Sequence, residues 1–86
     1  MPAGYKLFVL RDAEKELSRI PKRDVRRIPD RLGRLPAIPR PVGVEKLSTL
    51  ERYRVRQGDW RILYEIDDVR REISIVKIAH RREVYR

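Results

Sequence analysis

Residues 53–66, YRVRQGDWRILYEI, decide how this chain folds. Two runs of alternating side chains flank Gly58 and Asp59, and such runs around a two-residue Gly/Asp turn read as a β-hairpin. In an extended strand Arg54 and Arg56 project from one face, while Tyr53, Val55 and Gln57 project from the other. Beyond the turn Trp60, Ile62, Tyr64 and Ile66 alternate with Arg61, Leu63 and Glu65, so at least one face of the second strand is buried. Arg61 returns toward the first strand, and the turn register decides whether it joins the face of Arg54 and Arg56. The hairpin is scaffold and candidate site together.

Toward the C-terminus, a turn around Asp67 to Arg71 leads into REISIVKIAH, where Ile73, Ile75, Lys77 and Ala79 alternate with Ser74, Val76, Ile78 and His80 as a last strand. The tail RREVYR follows. Toward the N-terminus, Tyr5, Leu7 and Val9 alternate with Lys6, Phe8 and Leu10 in a short first strand. Asp12 is placed to cap a helix through AEKELSRI, with Ala13, Leu17 and Ile20 at helical spacing and Pro21 closing it. KRDVRRIPDRLGRL reads as a second amphipathic helix, with Val25, Ile28, Leu32 and Leu35 on one face, and Pro29 is expected to kink or restart it. LPAIPRPVG is too rich in proline for regular structure and connects the helices to VEKLSTLE and the hairpin. The expected fold is α+β in the order β-α-α-β-β-β: two helices of the N-terminal half packed on one face of a small, mostly antiparallel four-stranded sheet, with the arginines on the other face. Residues 1–86 are expected to form one domain.

Charge narrows the partner. The 22 Lys and Arg outnumber the 13 Asp and Glu, giving +9 and a pI near 10.6, a field suited to a polyanion. Most of these cations are arginine, whose guanidinium forks meet phosphate in two-pronged fashion. No apolar run approaches the roughly 20 residues of a membrane span, and the start carries no signal-peptide pattern, so a cytoplasmic protein without membrane contact is expected. With no cysteine and one histidine, neither a disulfide framework nor a thiolate or multi-imidazole zinc site is available; no metal and no cofactor are expected.

Arg54, Arg56 and Arg61, with His80, Arg81 and Tyr85, are the one constellation suited to chemistry on RNA. Cleavage without metal needs the 2'-hydroxyl deprotonated, the phosphorane stabilised and the 5'-oxygen protonated, and fixed cations supply the second need. Arginine stays protonated, so the proton transfers fall to Tyr85 or His80.

The stretch ERYRVRQGDWRILYEI followed by IVKIAHRREVYR, preceded by a strand and two helices, resembles the RelE family of bacterial and archaeal type II toxin–antitoxin systems, and the likeness covers nearly the whole chain. The resemblance implies a small endoribonuclease, an mRNA interferase that cuts mRNA in the ribosomal A site and contacts its rRNA. It also implies inhibition by a cognate RelB-like antitoxin, in a toxin–antitoxin heterotetramer. By motif, Arg61 matches the arginine that stabilises the transition-state phosphate, Arg81 the arginine tied to the leaving group, and Tyr85 the C-terminal tyrosine that orients or activates the nucleophile. Arg54 and Arg56 stand where the best-studied type of member has lysines, and His80 where some relatives carry histidine. Two alternatives share the composition: a ParE-like DNA gyrase poison, against which Arg61, Arg81 and Tyr85 together argue, and a non-catalytic basic module that binds RNA or protein.

Overall fold

The computed structural model describes residues 4–22, 27–47 and 51–80. Along the chain run β1 (Lys6–Val9), α1 (Arg11–Ser18), α2 (Arg27–Arg34), β2 (Glu45–Lys46), β3 (Arg52–Gln57), β4 (Trp60–Asp67) and β5 (Glu72–His80). The strands form one sheet in the order β1-β5-β4-β3-β2, antiparallel except for the β1–β5 pair. The expected α+β architecture is present. A fifth strand, the two-residue β2, adds to the β3 edge; it is too short to show a period of its own in the sequence.

One face of the sheet is apolar and lies under the helices. Tyr53, Val55, Ile62, Tyr64, Ile66, Ile73, Ile75 and Ile78 form a single buried cluster with Ala13 and Ile20, and with Ile28, Leu32 and Leu35 at the i, i+4 and i+7 positions that give α2 its core stripe. Val25, assigned to the same stripe, lies outside the described residues.

α1 is not capped by Asp12. Its N-cap is Leu10, extended at φ −71° and ψ 160°, without a side-chain cap. The Leu10 N–H donates to the Ile75 carbonyl at 2.9 Å, and its own carbonyl accepts from the Glu14 N–H at 2.9 Å. Strand thus passes into helix with no intervening loop, which leaves Asp12 in the first turn, where its carboxylate faces the positive end of the helix dipole. α2 runs through Pro29 to Arg34, and the part of the expected second helix before Arg27 lies outside the described residues.

β5 departs from simple alternation. Leu63 pairs with Lys77 but Tyr64 pairs with Ile75, which leaves Val76 as an extra residue, a β-bulge. The bulge reverses the phase of the strand, so Ile73 and Ile75 on one side of it and Ile78 on the other all reach the core, while Lys77 and Ala79 turn to the opposite face. Glu16 of α1 supports this point. Its carboxylate accepts the Ile78 N–H at 2.8 Å and pairs with Lys77 at 3.0 Å.

The proline-rich passage packs as well as connects. The Pro36 carbonyl accepts the Tyr5 N–H at 2.9 Å. A Cβ at Gly4 would lie 2.2 Å from that same oxygen, so only glycine fits there. The Tyr64 hydroxyl donates to the Pro39 carbonyl at 2.7 Å. Arg40 donates to the Tyr53 hydroxyl at 3.0 Å, to Glu51 at 3.2 Å and to Asp68 at 2.9 Å, and its guanidinium lies 5.0 Å from the Tyr53 ring centre. One side chain thereby ties the passage to β3 and to the β4–β5 turn.

Both features give pH signatures. Burial pushes the Tyr64 phenol up to about 12, so its neutral form is favoured in the fold. A group raised above its unfolded value near 10 keeps its full stabilisation below that pH and loses it as pH rises toward 12. Urea midpoints measured at about pH 9 and pH 11 should therefore fall steeply. Tyr64→Phe should lower the unfolding free energy by about 1–3 kcal/mol at neutral pH, because the Pro39 carbonyl loses its donor, and should lessen the alkaline fall. An alkaline fall equal in both proteins would place its origin elsewhere.

At the acid end, the Tyr53 hydroxyl, with Lys46 and Arg40, holds the Glu51 carboxyl below its ordinary range, and Arg40 with Tyr5 does the same for Asp68. Depressed carboxyls stabilise above their unfolded pKa, and that contribution disappears as pH falls through the folded values. Stability should thus decline below about pH 4, and Arg40→Gln should flatten the decline; an unchanged slope would show that Arg40 does not control it.

Candidate active site

The turn register answers the question about Arg61. Gly58 and Asp59 form a two-residue loop flanked by the Gln57–Trp60 pair, with Gly58 at φ +61°, a left-handed conformation that glycine adopts without strain. Arg56 then stands directly opposite Arg61, and Arg54 opposite Leu63. Directly opposed residues of an antiparallel pair share a face, so Arg54, Arg56 and Arg61 lie together on the side away from the helices.

Their environments differ. Arg56 is the most open, with a side chain 58% exposed. Arg54 is 19% exposed and pairs with Glu45, its Nε at 3.3 Å and its Nη2 at 3.2 Å from one carboxylate oxygen. Arg61 is buried, at 6%. Its Nη1 donates to the Gly58 and Trp60 carbonyls at 3.3 and 3.2 Å, so the guanidinium curls back against its own hairpin turn. Its Nε is buried without an acceptor. Among the described residues no carboxylate pairs with Arg61, although a buried cation ordinarily requires one. Ala79 is the residue opposite it on β5.

Most of the sheet's acids lie at the other end. Arg52, the remaining arginine of β3, pairs with its cross-strand partner Glu65, and beyond it Glu51, Asp67, Asp68 and Glu72 surround a shallow cleft at the β4–β5 turn. The sheet thus runs from an acidic end to a cationic end at the hairpin, which is where an anionic ligand is drawn.

His80 is not brought to the arginines. It is the cross-strand partner of Trp60 and meets its ring edge-on, centroids 5.5 Å apart, on the face opposite Arg61. Arg81 and Tyr85 lie outside the described residues. Glu45 was not singled out from the sequence; the pair it makes spans nine residues and becomes visible only through the β2–β3 register. Among the described residues no group of three or more His, Cys, Asp and Glu side chains is arranged to hold a metal ion, and no helix is long and apolar enough to cross a membrane.

Comparisons with known proteins follow the same lines. The toxin–antitoxin complex RelBE2 from Mycobacterium tuberculosis is similar in structure, with 24% identity over 90% of this chain and 98% of that chain and a TM-score of 0.78. The archaeal RelE–RelB complex from Pyrococcus horikoshii OT3 is 27% identical over 91% of this chain and 96% of that chain, with a TM-score of 0.76. The isolated E. coli RelE toxin shares the fold at 19% identity, 94% and 90% coverage and a TM-score of 0.78. No curated protein matches in sequence. The family model described as the ParE toxin of the type II toxin–antitoxin system parDE matches residues 7–85. The chain therefore belongs to the ParE toxin family of type II toxin–antitoxin systems, within the RelE/ParE superfamily.

Proposed function

We propose that this toxin is a ribosome-dependent mRNA endoribonuclease that works with its own side chains, without a metal or cofactor. The observation that carries this reading is Arg61: a buried guanidinium with an unpartnered Nε, without a carboxylate partner among the described residues, beside two further arginines on one face. Such a group is stabilised when a phosphate oxygen supplies it with an acceptor, and more so when the phosphate gains charge. In the reaction the 2'-oxygen gives its proton to Tyr85 and attacks phosphorus, the P–O5' bond breaks, and the 5'-oxygen takes up a proton from solvent water, leaving a 2',3'-cyclic phosphate and a 5'-hydroxyl. Arg61, with Arg54 and Arg56, stabilises the phosphorane; Arg81 stabilises the leaving group; Tyr85 handles the proton of the nucleophile. His80, held against Trp60 on the other face, has no direct part. A RelB-like antitoxin is the partner this reading expects, in a toxin–antitoxin heterotetramer in the cytoplasm, because several similar structures are RelB–RelE complexes.

A second reading, poisoning of DNA gyrase, is favoured by the ParE description of the matching family. One experiment separates them: cleavage of a defined mRNA in a translating extract, run beside a gyrase supercoiling assay with the same protein. Cleavage of ribosome-bound mRNA with intact supercoiling supports the first reading; inhibited supercoiling with intact mRNA supports the second. Neither effect would leave a basic binding module.

A further inference from the structure

If the arginine face engages an RNA phosphodiester, as proposed above, the carboxylate beside Arg54 and Arg56 opposes it. Glu45 is the register partner of Arg54 across β2 and β3, so the two side chains share the face that carries Arg56 and Arg61. Its Oε1 lies 3.3 Å from Arg54 Nε and 3.2 Å from Arg54 Nη2, and 3.9 Å from Arg56 Nε. Three arginine nitrogens thus converge on one oxygen. Among the described residues Glu45 is the only carboxylate that pairs with any of the three arginines.

We propose that Glu45 is an internal counter-anion: in the free toxin its carboxylate occupies the edge of Arg54 that a phosphate oxygen takes when RNA binds, and so limits how tightly RNA is held. The Nε and Nη2 nitrogens that point at Glu45 form the edge by which a guanidinium receives an oxyanion in two-pronged fashion. A phosphate cannot use that edge until Glu45 leaves. Leaving is easy in structural terms, since Glu45 sits on a two-residue edge strand with its side chain 44% exposed, whereas Arg54 is 19% exposed and fixed in place. The three cations are therefore unequal. Arg61 has no carboxylate among the described residues, Arg56 has Glu45 only at the limit of ion-pair distance, and Arg54 is fully engaged. Phosphate meets Arg56, the most open of the three, first, and Arg54 is recruited by displacement of Glu45.

The test is equilibrium binding of a short, 2'-O-methylated, fluorescent single-stranded RNA, which cannot be cleaved, followed by anisotropy across a salt series. Glu45→Gln keeps the shape and removes the charge. It should bind about three- to tenfold tighter near 0.1 M salt, the scale of removing one negative charge several ångströms from a phosphate in a partly exposed site. The slope of log K against log salt should steepen by about 0.7, the equivalent of one more net positive charge meeting the single strand. In an Arg54→Gln background the same substitution should change little. An unchanged slope, or weaker binding with a lowered melting midpoint, would make Glu45 a structural support and overturn the proposal. Unchanged binding with slower single-turnover cleavage would make it a proton carrier, and overturn it equally. Salt-sensitive RNA binding by the parent that Glu45→Gln does not tighten defeats this inference alone, while no salt-sensitive binding by either protein defeats the nuclease reading beneath it.

Discussion

Arg61→Ala is expected to slow single-turnover cleavage of mRNA on programmed ribosomes by about 10²- to 10³-fold, a loss of roughly 3 to 4 kcal/mol of transition-state stabilisation. The size follows from where the guanidinium sits. An exposed arginine is screened by water and salt, but Arg61 is buried with its Nε unpartnered, so a developing phosphorane charge meets a cation whose solvation has already been lost. Its hydrogen bonds go to two carbonyls of its own turn at 3.2 and 3.3 Å, so its removal should also cost the fold about 1–3 kcal/mol, which a melting midpoint reads separately from the rate. Arg61→Lys should recover part of the rate, since charge returns without the planar fork. A rate for the alanine variant within about threefold of the parent, with ribosome binding intact, would reduce Arg61 to a structural residue.

The second large effect is expected at the nucleophile. Tyr85→Phe should slow cleavage by about a hundredfold or more and remove a rise in rate that otherwise continues toward about pH 9 or 10, as for a phenol acting as general base. His80→Gln should stay within about threefold, because the imidazole packs edge-on against Trp60 across the sheet from Arg61. The paired pH profiles discriminate between the two. A rate that titrates near about pH 6 to 7 and loses that step in the histidine variant would return the proton transfer to His80. A parent profile flat from about pH 6 to 10, with chemistry rate-limiting, would leave the arginines as the whole mechanism.

Legibility in the sequence followed the strength of local periodicity. Arg54 and Arg56 were separable from Tyr53 and Val55 because strand side chains alternate with a period of two, and Ile28, Leu32 and Leu35 because a helix repeats near 3.6. The joining of Arg61 to that face depended on the hairpin register, which Gly58 makes possible but which one strand cannot display. Asp12 looked like a cap because its chemistry suits one; the cap fell to Leu10 because β1 hands its last hydrogen bond directly to the helix. The bulge at Val76 was hidden by the strand itself, since Ile73, Ile75, Val76, Ile78 and Ala79 are apolar on both phases. Glu45 and Arg40 act through partners in other elements, and no local pattern announces such pairs.

That bulge also bears on how relatives of different length are to be compared. Val76 has no counterpart on β4, so the pairs Ile75–Tyr64 and Lys77–Leu63 would be consecutive in a strand that lacked it. Pairing therefore sets the chain length on either side of Val76 but not at Val76 itself. A one-residue gap placed there leaves Ala79 opposite Arg61, whereas the same gap placed at Ile78 would bring Ala79 into the core and put histidine beside the guanidinium. Sequences of this family are best aligned inward from both ends of β5, with any difference in length absorbed where the ladder skips a residue.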